Sequence, residues 1–204
     1  MAIRDILLYP ESEVALRNKS EPVGTVDRRV KLLIRDLKDT LAHNSKGIGL
    51  AAPQINVHKR VVIIQLGAQY DSHNQNGKSS ALVNPVILET GHEQRDYDGC
   101  LSFPGLYGET VRPHRIRVSG LDERGEPFEQ VFEGFDAVLV HHEIDHLNGV
   151  LFIDRIERLD DLYRLEKDEY GRQIRVSISV DLAPEGMRNY QSIGLRMANK
   201  ESGC

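Results

Sequence analysis

The longest run of helical periodicity in the chain is TVDRRVKLLIRDLKDTLAHN, beginning at Thr25. Val26, Val30, Leu33, Ile34, Leu37 and Leu41 recur there three and four residues apart, with Arg, Lys and Asp between them. Thr25 is a candidate N-cap and Asp27 suits the positive end of the helix dipole, so a long amphipathic helix is predicted over 26–43. A glycine-rich turn, GIGLAAPQ at 47–54, leads to the β-branched run RVVIIQL at 60–66. The segment 67–80 is polar, carries Asn74, Asn76 and Gly77, and reads as an exposed loop. ALVNPVILE at 81–89 reads as one strand or two short ones, with Pro85 setting an edge or a bend. RIRVSGLD and PFEQVFEG flank the turn DERGEP at 122–127 and predict a hairpin. FDAVLVHHEIDHLNG at 135–149 has no internal breaker and ends in Asn148–Gly149, a C-cap pair. It predicts a second helix, followed by a short strand at 150–153. Beyond 160 the pattern weakens, although RVSISVDL at 175–182 alternates like a strand before Pro184 and Gly186. Strands with two helices and no repeats indicate an α+β domain, not a doubly wound parallel sheet.

Composition narrows the function classes. A chain of 204 residues with 40% apolar and 28% charged residues suits one soluble domain. A net charge of -5 gives no overall basic footprint, which argues against an obligate nucleic-acid partner. MAIRDILLYPESEV lacks the apolar run of a secretory signal, and no stretch approaches the roughly 20 apolar residues of a membrane span. The expected location is therefore the cytoplasm, or an organelle matrix. Two cysteines, Cys100 and Cys204, predict no structural disulfide in such a chain.

Candidate chemistry concentrates in His142-Glu143-Ile144-Asp145-His146, an HExxH sequence on the second predicted helix. Side chains four apart share a helix face, so both imidazoles can reach one metal ion. Glu143 stands beside the first of them, placed to take a proton from an attacking water. The helix is otherwise apolar, and turning two histidines and two acids inward is costly unless they are paired or bind metal. A catalytic site of this kind needs a third ligand. The long form HExxHxxGxxH fails, because Gly149 matches but Phe152 stands where the last histidine belongs. Glu157 and Glu166 are downstream candidates, and Cys100, in DGCLSFPG at 98–105, is the upstream one.

GIGLAAPQ at 47–54, GCLS at 99–102 and HEIDH at 142–146 stand in the order and spacing of the signature motifs of peptide deformylases, which the chain resembles from about residue 3 to 158. The resemblance implies antiparallel sheets packed around a central HExxH-bearing helix, with a long N-terminal amphipathic helix. It implies a catalytic domain over 1–158, with 159–204 an atypical tail that is part of the same domain or an appendage. Carried over by position, it makes Cys100, His142 and His146 the metal ligands and Glu143 the catalytic acid/base. Gln54 and the backbone N–H of Leu101 would hold the developing oxyanion. Gly47, Ile48, Gly49, Gly99 and Arg112 would form the substrate-binding group, with Ile48 and the helix face near Val138 and His142 enclosing a methionine side chain. The implied reaction is hydrolysis of the N-formyl group from formylmethionine at the start of nascent polypeptides. One divalent metal ion per chain is implied, ferrous iron in cells, with zinc or nickel as isolated. The implied partners are the formylated nascent peptide and, transiently, the ribosome, with no specific nucleic-acid sequence and no membrane.

Three positions depart from the family pattern. Asp98 replaces the usual glutamate before GCLS, where Arg112 is the positional match for its partner, so a shifted loop or a looser pair is expected. His141 precedes HExxH where glutamine is usual, and its position points it about 100° away from His142. The tail after 160 follows neither common form. Three rival readings stand: an internal peptidase, whose third ligand would be a downstream Glu or His; a structural zinc fold, which would need a fourth protein ligand; and a family relative that has lost activity. Against the last, the intact GIGLAAPQ, GCLS and HEIDH argue, with Asp98 the only mark in its favour.

Overall fold

The structure, a computed structural model, describes residues 2–44, 47–67 and 79–178. It opens with a one-turn helix α1 (Glu13–Leu16), so the long helix α2 (Arg28–His43) is the second helical element. The cap of α2 is Asp27 and not Thr25, because the Asp27 carboxylate accepts the N–H groups of Arg29 and Val30 at 2.9 and 3.0 Å. Its inner face buries Ile34, Leu37, Thr40 and Leu41.

Nine strands form two antiparallel sheets among the described residues. The first runs in the order β1 (Gly49–Ala51), β2 (Val61–Ile64), β3 (Ser80–Thr90), β6 (Arg115–Leu121), β7 (Pro127–Glu133). The second runs β4 (Glu93–Gly99), β5 (Leu106–Pro113), β8 (Leu162–Lys167), β9 (Gln173–Ser177). Between them lies α3 (Gly134–Leu147), in contact with β1, β2 and β7 on one side and β4 and β5 on the other. Every residue of α3 from Ala137 to Leu147 is buried. A helix enclosed on all sides shows no amphipathic stripe, which is why its sequence looks apolar all round with the HEIDH set as the exception.

The β-branched run of β2 has the same cause. Val61 and Ile63 pack toward α2 with Leu37, Leu41 and Leu50, while Val62 and Ile64 pack with Val140, Ile144 and Leu147 of α3. Both faces are covered, so a continuous apolar string replaces alternation. The β6–β7 hairpin pairs Leu121 with Pro127 through Arg115 with Glu133 around the expected turn. Pro85 does not split β3. The register shifts between Val83 and Val86, and Asn84, at φ 51°, turns its side chain to bridge the N–H and C=O of Val23.

Other expectations change. The segment 150–153 is not a strand: Phe152–Arg155 form a 3-10 turn, with the Asp154 carboxylate accepting the Leu151 N–H at 2.9 Å. Strands β4, β5 and β8 were not predicted at all, and β1 lies within what reads as a glycine-rich turn. Of the expected loop at 67–80, residues 68–78 lie outside the described residues, as does 175–182 beyond Ile178. No described helix is long and apolar enough to cross a membrane.

Candidate metal centre

Three segments converge at one end of α3. β1 with the 3-10 turn Ala52–Ile55 comes from the GIGLAAPQ sequence, and β4 delivers Gly99 and Cys100 at its end. α3 presents His142, Glu143 and His146 from consecutive turns, with the two imidazole centroids 4.9 Å apart. The candidate ligand atoms of Cys100, His142 and His146 all lie within 4.8 Å of one another. Cys100 Sγ stands 3.2 Å from His146 Nε2. His146 is buried behind the cavity, and Cys100 is half-buried at its wall.

His142 Nδ1 lies 2.7 Å from Asp98 Oδ1, which orients the ring and leaves Nε2 as the ligating nitrogen. This sulfur-and-imidazole set suits zinc, ferrous iron or nickel, and three protein donors leave a position for a reactant. The residues therefore fit a catalytic divalent ion. Burial opposes a charge on His142, but the Asp98 carboxylate outweighs it and holds that pKa well above the usual value. Burial, reinforced by His142, holds His146 well below it. Binding a cation would displace the His142 proton.

Of the charge network behind the ligands, the resemblance implied the Asp98–Arg112 pair, while Asp145, Arg155 and Thr110 were not anticipated. Arg112, 1% exposed, donates from Nε to Asp98 at 2.8 Å and from Nη1 to Asp145 at 2.7 Å. Asp145 also accepts both Nε and Nη2 of Arg155, at 3.0 and 2.8 Å. Thr110 Oγ1 donates to Asp98 as well. Burial alone would raise both carboxyls, yet His142 and Arg112 pull Asp98 well below the carboxylate range, and His141 and Arg155 do so for Asp145. Asp98 thus keeps a close arginine pair despite its shorter side chain, and the expected loosening is not seen. Arg112 was expected among the substrate-binding residues. It does not line the cavity, and serves instead as the buried countercharge of two aspartates. His141 does point away from the ligands, with Nδ1 2.6 Å from Arg112 Nη1.

Glu143 is 3% exposed, and its Oε2 has no hydrogen-bond partner among the described residues. Burial pushes its carboxyl up to about 7. Gly49 makes room for it: a Cβ there would lie 2.2 Å from Glu143 Oε1. Gln54 is fixed by its Oε1 accepting the Ala51 N–H at 2.8 Å, so Nε2 must face Ser102 Oγ and Cys100 Sγ. The Leu101 N–H donates to no acceptor among the described residues.

A cavity of about 700 Å³ connects these groups, and Gly47, Ile48, Gly49, Gln54, Gly99, Cys100, Leu101, Val138, His142 and Glu143 all line it. Tyr97, Tyr107 and Phe135 line it too, and sequence reasoning missed them. The downstream ligand candidates are elsewhere: Glu157 is exposed and paired with Arg95, and Glu166 is exposed on β8.

Comparison with known proteins agrees with this arrangement. The family model described as polypeptide deformylase matches residues 3–161. A peptide deformylase of Pseudomonas aeruginosa is 40% identical over 175 residues, 85% of this chain and 99% of that protein. A crystal structure of a peptide deformylase from Legionella pneumophila matches at 40% identity and TM-score 0.67, covering 76% of this chain and 86% of that one. One from Acinetobacter baumannii, solved with Met-Ala-Ser bound, matches at 32% identity and TM-score 0.67, covering 76% and 99%. On this likeness over most of its length, the chain belongs to the polypeptide deformylase family.

Proposed function

We propose that this protein hydrolyses the N-formyl group of formylmethionine at the start of nascent polypeptides, releasing formate and a free amine. The observation that carries this reading is the convergence of Cys100, His142 and His146 beside a buried Glu143 that has an unpartnered carboxylate oxygen. A divalent ion held by those three ligands would supply Lewis-acid polarisation and a lowered water pKa.

The chain's own residues do the rest. Glu143 takes a proton from water as the water oxygen adds to the formyl carbon. Gln54 Nε2 and the Leu101 N–H donate to the formyl oxygen as it gains charge, a contribution that is usually large in a water-poor site. Glu143 then passes its proton to the leaving nitrogen as the C–N bond breaks. Asp98 keeps His142 in the tautomer that presents Nε2. Gly47 and Ile48 lead into Gly49 at the start of β1, which among the described residues pairs with β2 alone, so an extended substrate can add there as a further strand. Ile48 and Val138 supply apolar wall for the methionine side chain. The Met-Ala-Ser bound to the Acinetobacter baumannii relative has the sequence of such a product.

The physiological ion in this reading is ferrous iron, with zinc or nickel as replacements of the same ligand preference. The working place is the cytoplasm, with transient docking at the ribosome, where formylated chains emerge. Residues 1–158 form the catalytic domain. The pairing of β8 with β5 supports counting the start of the 159–204 tail in the same domain.

The test is formate release from formyl-Met-Ala-Ser by protein purified anaerobically and loaded with Fe(II). Release that a chelator abolishes is expected. Bound metal with no release, together with casein cleavage, would favour an internal peptidase instead.

A further inference from the structure

The cavity continues past the ligands onto the outer face of the second sheet, where Tyr97 and Tyr107 form part of its wall. These residues belong to a row. Tyr97 stacks on Tyr107 at 5.6 Å between centroids, and Tyr107 on Tyr163 at 6.4 Å, both within the range of favourable aromatic pairs. Arg175 lies 4.5 Å from the Tyr163 ring centre and is itself held by Glu109 at 2.7 Å. Tyr163 is buried, so the row is anchored at that end, while Tyr97, at the cavity, is 39% exposed.

That exposure runs against the usual design of an edge strand. Among the described residues β4 pairs with β5 alone, and edge strands are normally blunted with charge. The sequence of β4, EQRDYDG, is charged or polar from Glu93 to Asp96 and turns to a large aromatic at Tyr97. Gly99, directly across from Tyr107, lets the ring lie over the strand end beside Cys100, because a Cβ there would sit 2.8 Å from Tyr107 Cδ1.

We propose that Tyr97 and Tyr107 are a platform for side chains downstream of formylmethionine, and that they make the enzyme favour peptides with an aromatic residue there. The inference rests on the deformylase reading above. In that reading the formyl group sits at Glu143 and the methionine side chain beside Ile48 and Val138. The remaining wall therefore faces the residues that follow. A row already stacked and pinned loses little freedom when a further ring joins it.

The experiment compares kcat/KM for formyl-Met-Ala-Ala, formyl-Met-Phe-Ala and formyl-Met-Ala-Phe by formate release. An extended peptide alternates its side chains, so one of the two phenylalanine peptides is expected to exceed the alanine peptide by about 2- to 10-fold. The gain should come through KM at similar kcat. Tyr97→Ala should remove the preference, and Tyr97→Phe should keep it, since the ring and not the hydroxyl makes the contact. Equal kcat/KM for all three peptides would overturn the platform, as would a preference that survives Tyr97→Ala. No formate from any peptide would overturn the deformylase reading itself, whereas turnover of formyl-Met-Ala-Ala without a phenylalanine preference removes the platform alone.

Discussion

At the scale of single residues, the site separates two tasks that a carboxylate can perform. Asp98 is paired with His142 and Arg112 and stays ionised, which suits a residue that orients a ligand. Glu143 is equally buried but lacks a countercharge in contact, and burial raises its carboxyl to about 7, which suits a group that exchanges protons. Glu143→Gln should therefore keep one metal ion per chain while kcat falls about 10²- to 10⁴-fold. Metal analysis alongside formate release checks this, and activity above a tenth of wild type would remove Glu143 from the proton-transfer role.

At the scale of elements, the site depends on how closely β1 approaches α3. Gly49 has an ordinary backbone conformation, so its value is spatial: an added Cβ would meet Glu143 Oε1 at 2.2 Å and Leu139 Cδ1 at 2.8 Å. Gly49→Ala should push the Glu143 carboxylate aside and lower kcat by about 100-fold, the order of loss expected from a misplacement near 1 Å. Metal content should stay unchanged, because the three ligands lie on α3 and at the end of β4. A variant with full turnover would mean that Glu143 does not need its present position. At the same scale, Gly99 closes the β4–β5 ladder opposite Tyr107, so Cys100 follows directly on a paired strand end, and Leu101 and Ser102 form the turn after it.

At the scale of the whole molecule, the Asp98–Arg112–Asp145–Arg155 network ties the second sheet to α3 and to the 3-10 turn after it. Arg112→Leu would leave two aspartates short of their shared countercharge, and urea unfolding should show a loss of about 3–5 kcal/mol. A loss below about 1 kcal/mol would show that Arg155 and His142 suffice. The network also sets the acid limit of stability. Asp145 has a depressed folded-state pKa, so its contribution is present above its unfolded value of about 4 and is lost as pH falls further toward the folded one. The urea midpoint should therefore drop steeply below about pH 4, and less steeply in Asp145→Asn. Identical slopes in the two proteins would assign the acid transition to other groups.

What the sequence determined on its own was local. The i, i+4 spacing of His142 and His146 places both imidazoles on one face of any helix, and the turn between 122 and 127 joins β6 and β7 whatever surrounds them. Strands β4, β5 and β8 were invisible because no apolar alternation marks them, and buried positions along β4 and β5 hold polar residues or glycine, such as Asp98, Gly108, Thr110 and Arg112. Their pairing is decided by neighbours distant in the chain. Periodicity likewise carries no distance across a fold. It left Cys100, Glu157 and Glu166 as alternative third ligands until the resemblance was weighed. Only the packing of β4 against α3 brings Cys100, 46 positions before His146, to 3.2 Å from it. That same packing aims Asp98 at His142 and buries Arg112 behind both, because a charge inside a protein is placed by the partners that fold around it.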